Sequence, residues 1–397
     1  MAADRSRGWA CLSDNVLYGI FRRVPCEVDR LHAGRVCHSW RAALAKLNLP
    51  APHPPVPWLL LPETDEHGLT FSCVLSECRT HPFFLPHSAR RTRYFGSYDG
   101  AWIFLAVDGQ GDEAQDHVLV NLHSFQFLDL PNAIPVFCFE KDLENIAIVA
   151  ATLSRPPTEQ GCIVAGIIEL SLSPVRRIAF WRMGDRMVSH RFWAVWPPEE
   201  VEDLLYYNDG GVECFLFLTQ EEDVRVCAEP NFHEANVQLF SNLSRFKPRG
   251  SDGQPVLARY LVQSRGVVLM VVRLGSPIQH EPAASEFRVF ERKYLNDGKF
   301  RNIWSGLSEL DGRMLFVGRG CSRSYEATDG YPGMEGVYFL DDRSFDEPIF
   351  HDPDHAYRCG DNSKWSEAAI RLDRCFPERG QSKYSPPALV SSAENCS

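Results

Sequence analysis

The sequence contains no apolar run long enough to cross a membrane. No stretch approaches the roughly 18 uncharged apolar residues that a transmembrane helix requires. Residues 1–7 hold no apolar segment of the kind found in a secretion signal, so secretion is not expected. With 44% hydrophobic and 23% charged residues, the composition is typical of a soluble globular protein. We therefore expect no membrane partner.

Paired cysteine spacings are also absent. The 13 cysteines include no C-x-x-C, and the two closest are Cys73 and Cys78. A zinc ribbon or a disulfide framework requires clustered or paired spacings. The cysteines are therefore predicted to be reduced and to act mostly as small core residues. Reduced cysteines favour the cytoplasm, the nucleus or both as the location.

Positive charge is scarce outside the N-terminal segment. The net charge is −11, and no nucleic-acid partner is expected because phosphate binding requires a basic surface. Residues 1–50 hold eight Lys or Arg against four Asp or Glu, a net charge of +4, which leaves −15 for residues 51–397. The N-terminal segment is therefore electrostatically distinct from the rest of the chain.

Motifs for catalysis and cofactor binding are missing as well. The chain has no G-x-S-x-G, H-E-x-x-H, P-loop or G-x-G-x-x-G. Gly318-Arg-Gly320 lacks the third glycine and a following helix. His351-Asp-Pro-Asp-His355 is predicted to be a solvated loop rather than a metal site, and Arg90-Arg-Thr-Arg93 a solvated turn. We expect no catalytic residue, no metal and no cofactor, and hence a protein that is not an enzyme.

A convincing helical period occurs only in residues 9–46. The first predicted helix follows Ser13, a capable N-cap, and ends before Pro25. Its apolar positions have the spacing of one helix face: Val16, Leu17, Ile20, Phe21 and Val24. A second helix is predicted from about Glu27 and a third from about Gly34 to Leu44. Three helices this short cannot bury all their apolar faces alone, so the unit requires a partner.

The pattern changes after residues 47–57, a proline-rich stretch predicted to be a linker. Beyond it, short apolar runs such as Ile146–Leu153 alternate with turn residues typical of hairpins, such as Asp209-Gly-Gly211. At about 40–50 residues per blade, residues 58–390 are predicted to form a β-propeller with six or seven blades. A two-domain β arrangement is the alternative. The fold class is thus mainly β with a small N-terminal α domain.

Residues 9–46 resemble the F-box. The matching segments are Leu12–Pro25, Asp29-Arg-Leu31 and Val36-Cys-His-Ser-Trp-Arg41, the last of which holds the whole Val-Cys-x-x-Trp-Arg pattern of the family. Ser13 stands where the family usually has proline, and Arg30 intervenes in the Asp-Leu pair. The resemblance implies that this unit binds a Skp-type adaptor and, through it, a cullin.

The F-box resemblance also assigns individual residues to adaptor binding. They are predicted to divide between closing the three-helix core and filling the adaptor's groove: Leu12, Val16, Leu17, Ile20, Phe21, Val24, Pro25, Leu31, Val36, Cys37, Trp40 and Arg41. Four arginines are expected to form a basic rim toward an acidic adaptor: Arg22, Arg23, Arg35 and Arg41.

The β-rich region resembles the F-box-associated domain of a large plant family, a domain of unknown function described as kelch-like or propeller-like. The matching segments include Gly96–Trp102, Ile178–Asp185, Arg259–Ser264 and Leu310–Gly318. Together, the two resemblances imply the substrate-recognition subunit of a Skp-cullin-F-box ubiquitin ligase, with an unknown protein substrate held by the β-domain. The alternatives are a non-ligase scaffold or degenerate F-box protein, a propeller-type enzyme, and a generic three-helix cap on the β-domain.

Overall fold

Within the residues that the computed structural model describes, the chain forms three short helices followed by 26 strands. The described residues are 9, 11–24, 27–46, 56–74, 80–82, 91–108, 115–122, 124–135, 143–171, 173–186, 188, 190–192, 201–228, 230, 232, 240–242, 254–275, 286–295, 301–329, 331–347, 349, 355–366, 371–373 and 375–391. The helices are α1 (Asp14–Phe21), α2 (Glu27–Gly34) and α3 (His38–Lys46). The predicted fold class is therefore confirmed.

The helices differ in detail from the prediction. Ser13 does precede α1, but its hydroxyl makes no capping hydrogen bond. Its carbonyl oxygen instead accepts from the N–H groups of Val16 and Leu17, at 3.0 Å each. The predicted start of the third helix at Gly34 is wrong, because Gly34 still belongs to α2 and residues 35–37 form the connection. Pro25 and residues 47–55 of the predicted linker lie outside the described residues.

The strands are short and follow one another closely along the chain. In chain order they are β1 (Trp58–Leu61), β2 (Thr70–Cys73), β3 (Thr80–Pro82), β4 (Arg93–Tyr98), β5 (Trp102–Asp108), β6 (Gln115–Asn121), β7 (Phe127–Leu130), β8 (Ala133–Pro135), β9 (Leu143–Leu153), β10 (Ile163–Leu170), β11 (Ser173–Arg182), β12 (His190–Phe192), β13 (Val201–Asn208), β14 (Glu213–Thr219), β15 (Val224–Ala228), β16 (Phe240–Asn242), β17 (Val256–Ser264), β18 (Val267–Leu274), β19 (Glu286–Leu295), β20 (Arg301–Gly306), β21 (Arg313–Phe316), β22 (Arg323–Glu326), β23 (Gly336–Phe339), β24 (Ser363–Ser366), β25 (Arg371–Asp373) and β26 (Ala388–Val390).

The strands form six sheets, which are the blades of a propeller. Blade 1 is β4-β5-β6-β7, blade 2 is β12-β11-β10-β9-β8 and blade 3 is β13-β14-β15-β16. Blade 4 is β17-β18-β19-β20, blade 5 is β22-β21-β23-β24-β25 and blade 6 is β26-β1-β2-β3. Neighbouring blades contact each other through β26, β4, β9, β13, β17 and β22. These strands therefore surround the propeller axis, and the predicted range of six or seven blades resolves to six.

Blade 6 closes the ring by joining the two ends of the β-domain. The last strand, β26, pairs antiparallel with the first, β1, through the partners Trp58 with Val390, Leu59 with Leu389 and Leu60 with Ala388. Such a closure satisfies backbone groups that would otherwise form an exposed sheet edge. The C-terminal segment is therefore an integral part of the propeller.

Each pair of neighbouring blades shares one apolar cluster. Phe104 of blade 1 packs with Ile148 of blade 2, for example, and Phe180 of blade 2 packs with Phe217 of blade 3. The remaining clusters join blades 3 and 4, 4 and 5, 5 and 6, and 6 and 1. The core is thus a ring of six interfaces, which explains why strands such as β10 and β21 are buried along their whole length.

A loop of blade 5 interrupts the regular pattern. β21 pairs antiparallel with β22 but parallel with β23, so the axis-side strand of this blade comes second in the chain. The connection between β21 and β22 is residues 317–322, here called the crossing loop. A Cβ atom added to its Gly320 would lie 2.7 Å from the Ala151 carbonyl oxygen of blade 2 and 3.2 Å from Leu204 of blade 3. The loop therefore crosses the axis and reaches the opposite blades.

Replacing Gly320 with alanine should destabilise the propeller. Gly320 has a φ of +68°, and the added Cβ would overlap the Ala151 carbonyl oxygen. Gly161 is a matched control, since its φ is +81° and a Cβ atom added there would meet no neighbouring atom within 4 Å. Both variants incur the cost of a left-handed backbone at alanine, roughly 1 kcal/mol. Because only Gly320→Ala also adds the overlap, it should lower the free energy of unfolding by about 1–3 kcal/mol more than Gly161→Ala does. If denaturant titrations gave the same loss of unfolding free energy for both variants, the contact between Gly320 and the Ala151 carbonyl oxygen would not be tight.

The described part of the chain bears on two further predictions. Its nine cysteines are all free, and six of them are buried: Cys73, Cys162, Cys214, Cys227, Cys321 and Cys359. They act as small core residues, as predicted. None of the described helices is both long enough and apolar enough to span a bilayer.

Candidate functional site

The three helices have a small apolar core of their own. Leu17 and Phe21 of α1 pack with Trp40 and Ala43 of α3, and all four are buried. The rings of Phe21 and Trp40 meet edge to face, with centroids 5.7 Å apart, a favoured geometry for aromatic pairs. The Trp40 indole N–H donates to the Trp9 carbonyl oxygen at 2.8 Å. These contacts close the helical unit on itself.

Other apolar side chains of the helical unit face solvent. Val16 on α1 is 48% exposed, Val36 between α2 and α3 is 60% exposed, and Trp9 is 70% exposed. Among the described residues only eight large apolar side chains are exposed, and these three lie within the short helical segment. All four arginines of the predicted basic rim are exposed as well. The helical unit therefore presents apolar and basic groups side by side along its sequence.

The residues assigned to adaptor binding divide between these two environments. Leu17, Phe21 and Trp40 lie in the helical core, whereas Val16, Val36 and Arg41 are exposed. Four others are half-buried: Leu12, Ile20, Val24 and Cys37. Pro25 and the side chain of Leu31 lie outside the described residues. Of the residues assigned to adaptor binding, those available for contact with a partner are thus mainly Val16, Val36 and the four half-buried residues.

A pocket opens at one end of the propeller axis. It is bounded by the crossing loop, by the axis strands β4, β9 and β26, and by residues 340–349, and it encloses about 690 Å³ with its open mouth included. Its lining is mostly apolar and includes Phe95, Val149, Leu340, Phe345 and Leu389. We call it the entrance pocket. Its apolar lining with a few polar groups is typical of ligand-binding clefts.

β-Bulges shape the axis strands near this pocket. The pairing register shifts between Tyr94 and Gly96 in β4, between Val201 and Asp203 in β13, and between Val256 and Ala258 in β17. A bulge redirects the side chains next to it and is frequent beside binding sites. Here the three bulges lie next to the polar residues Arg93, Asp203 and Arg259.

Arg93 is a buried cation in the pocket wall. It is 7% exposed, and burial lowers the pKa of its guanidinium. Its Nη2 donates to the Ile148 carbonyl oxygen at 2.8 Å and to Gln115 Oε1 at 3.2 Å, while its Nε finds no hydrogen-bond partner among the described residues. The Nε atom is itself buried, so Arg93 contributes its positive charge to the pocket wall rather than a donor that a ligand can reach. The entrance pocket therefore suits a ligand that combines apolar and acidic groups.

The other charged groups of the lining are paired with one another. Asp342 accepts a hydrogen bond from the Tyr260 hydroxyl at 2.6 Å and lies 3.5 Å from both Arg273 Nη1 and Arg319 Nε. Arg319 also donates through Nη1 to the carbonyl oxygens of Glu202 and Arg259, at 2.8 and 2.7 Å. Arg273 in turn contacts Asp361 at 2.5 Å. These groups tie blades 3, 4 and 5 together around the axis.

Asp203 anchors the crossing loop beneath the pocket. Its side chain is fully buried. Oδ1 accepts from the N–H groups of Leu204 and Gly320 at 2.8 and 2.7 Å, and Oδ2 accepts from the N–H of Leu261 at 2.7 Å. One carboxyl group therefore links blade 3, blade 4 and the crossing loop. Burial raises the pKa of Asp203 to about 7, although Arg319 and the three N–H donors act in the opposite direction.

The raised pKa of Asp203 predicts a pH-dependent stability. Between its ordinary pKa of 3.8 and about 7, the folded chain holds a proton that the unfolded chain has released. The stabilising contribution of Asp203 is thus fully present below about pH 4 and is lost as the pH rises toward 7, at up to about 1.4 kcal/mol per pH unit. The free energy of unfolding lost in Asp203→Ala should therefore be larger at pH 5 than at pH 7.5. An equal loss at both values in urea titrations would contradict the raised pKa.

Sequence reasoning missed these buried polar residues. The prediction that Arg93 lies in a solvated turn is wrong, because β4 begins at Arg93 and buries it between blades. Gly318-Arg-Gly320 is an incomplete phosphate loop by its sequence, yet it forms the crossing loop. His355 of the predicted solvated loop is described and lies 3.2 Å from Glu347, whereas residues 351–354 lie outside the described residues. A usable signal was the two glycines flanking Arg319, which permit a close backbone approach.

Comparison with known proteins places the fold within a family. No curated protein sequence matches the chain. A search of solved structures finds Kluyveromyces lactis Hsv2, with 12% sequence identity, a TM-score of 0.31, and coverage of 64% of this chain and 86% of that chain. The model of the KIB1-4 β-propeller family matches residues 70–362, which form most of the six-bladed domain. The chain belongs to the KIB1-4 β-propeller family.

Proposed function

We propose that the protein is the substrate-recognition subunit of a Skp-cullin-F-box ubiquitin ligase. The helical unit docks on a Skp-type adaptor and thereby on a cullin, and the propeller holds a protein substrate. The chain itself carries out no chemistry in this proposal, since ubiquitin transfer belongs to other subunits. It acts in the cytoplasm, in the nucleus or in both.

The exposure of Val16 and Val36 is the observation that carries the proposal. Leu17, Phe21 and Trp40 already close the helical core, so the two valines are not needed to hold the helices together. Exposed apolar side chains gathered in a short segment are typical of protein interfaces. The exposed arginines beside them suit an acidic partner. The resemblance of residues 12–41 to the F-box supports a Skp-type adaptor as that partner.

The entrance pocket is where we propose that the substrate binds. Its apolar walls fit an apolar side chain, and Arg93 offers charge to a neighbouring carboxylate or similar acidic group. An acidic and apolar peptide segment is therefore the substrate feature that the pocket suits best.

The alternatives differ from the proposal in what they require. A propeller-type enzyme requires polar groups free to act in the pocket, whereas Asp342 and Arg319 of the lining are engaged with each other, and Asp342 also with Arg273. A helical cap requires the apolar faces of the helices to be covered by the propeller, whereas Val16 and Val36 are exposed. A scaffold that recruits no ligase would have the same structure as a ligase subunit, so only an experiment distinguishes the two.

Affinity purification of the full chain tests the proposal. The tagged protein is expressed in cells, and the purified material is scored for a Skp-type adaptor and a cullin. We expect both in amounts comparable to the bait. Recovery of a stable partner without adaptor or cullin would identify a scaffold, and would contradict the ligase function.

A further inference from the structure

Three potential metal ligands meet where the helices contact blade 6. Asp29 and His32 lie three residues apart on α2, and His81 lies on β3, the last strand of blade 6. One donor atom from each of the three side chains lies within 4.8 Å of the other two. Residues three apart on a helix project from the same face. Two ligands therefore come from the helical unit and one from the propeller.

The distances fit a shared metal ion better than a direct hydrogen bond. His81 Nδ1 and Asp29 Oδ1 are 3.6 Å apart, beyond the roughly 2.7–3.2 Å of a good hydrogen bond to nitrogen. Two ligands that each lie about 2.0–2.1 Å from a tetrahedral Zn²⁺ are separated by about 3.4 Å. A ring nitrogen of His32 lies within 4.8 Å of both of the other donor atoms, and the His32 and His81 ring centroids are 6.1 Å apart.

The propeller side of this cluster is rigid. His81 is 4% exposed, and β3 holds its backbone opposite Phe71 of β2. The His81 and Phe71 rings lie 5.2 Å apart, and Phe71 in turn stacks on Trp58 at 4.8 Å. A ligand fixed by packing lowers the entropic cost of binding an ion. His32 is exposed, which leaves the solvent side open for entry of the ion and for a water ligand.

We propose that Asp29, His32 and His81 bind one divalent transition-metal ion of the Zn²⁺ type. Two imidazoles and one carboxylate are a donor set that Zn²⁺ accepts, with a fourth position for water. The ion joins α2 to blade 6 and fixes the orientation of the helical unit relative to the propeller. The sequence predicted no metal site, because its ligands are close only in the folded chain. This site does not depend on what the helices or the pocket bind.

The test uses the full chain, stripped of metal with a chelator and titrated with Zn²⁺ alone by calorimetry. We expect one equivalent to bind and the thermal midpoint to rise with added Zn²⁺. His32→Ala should weaken binding at least tenfold and remove that rise, and its exposed position keeps the fold intact. His38→Ala is the matched control, because His38 is also exposed and helical, on α3, and it should bind as the wild type does.

Co²⁺ absorption is a second measurement, which distinguishes a specific metal site from weak binding of metal to the protein surface. Co²⁺ bound in place of Zn²⁺ should give visible absorption bands that His32→Ala and His81→Ala abolish and that His38→Ala preserves. Affinity should also fall at acidic pH, because protons compete with the metal ion for its ligand atoms. The proposal is overturned if the wild type binds less than one equivalent of Zn²⁺, or if His32→Ala binds it as tightly as the wild type.

Discussion

Replacing Val16 and Val36 together with aspartate should abolish co-purification of the adaptor and the cullin. Both valines are exposed in the free chain, so the substitutions leave the helical core intact. In a complex, each would place an unpaired carboxylate in an apolar interface and remove contacts worth roughly 1.5–3 kcal/mol per side chain. The combined loss corresponds to at least a hundredfold weaker binding, since about 1.4 kcal/mol is a factor of ten.

Val212→Asp is the matched control for this double variant. Val212 is a 59% exposed valine on the propeller, in the turn between β13 and β14, and its replacement should leave adaptor recovery unchanged. Leu17→Asp is less informative, because Leu17 is fully buried and a carboxylate there would unfold the helices. Normal adaptor recovery by the Val16→Asp/Val36→Asp protein would show that the exposed valines are not the docking surface.

Replacing Asp203 with alanine should produce the largest stability loss of any single substitution considered for the propeller. The change leaves three buried N–H groups without their acceptor, those of Leu204, Leu261 and Gly320. Each orphaned donor costs about 1–3 kcal/mol, so we expect the free energy of unfolding to fall by at least about 3 kcal/mol. Because the carboxyl joins three parts of the ring, the crossing loop should also become accessible to protease.

Asp129→Ala is the corresponding control. Asp129 is exposed on β7 of blade 1, and substitutions at such surface positions usually change stability by less than about 0.5 kcal/mol. The measurement is the urea midpoint of both variants at pH 5, with limited proteolysis as a second readout. Comparable midpoints for Asp203→Ala and Asp129→Ala would refute the role of Asp203 as the link between blades.

The propeller was predictable because its signals are local. Runs such as Val256–Gln263 and Val267–Val272 contain strand-forming residues, and Arg265-Gly266 between them has positive φ angles of 50° and 74°, which suit a two-residue hairpin turn. The length of the β-region then limited the number of blades. Neither inference requires contacts between distant segments, and both agree with the structure.

The candidate sites were less predictable because they depend on contacts between distant segments. The spacing of Leu17 and Ile20 places both on the apolar side of α1, but it does not say that Leu17 is fully buried and Ile20 only half-buried. The burial of Arg93 follows from packing of β4 against blade 2, whereas its sequence neighbours suggest a solvated turn. In the same way, His81 of β3 lies close to α2 only in the folded chain.

The most direct test of the central claim is a binding titration between the purified full-length wild-type chain and a purified Skp-type adaptor. We predict a saturable one-to-one complex with a dissociation constant of about 1 µM or tighter, and loss of that complex in the Val16→Asp/Val36→Asp protein. Circular dichroism on the same sample establishes that the propeller is folded. A folded wild-type chain that shows no saturable binding to the adaptor would contradict the account.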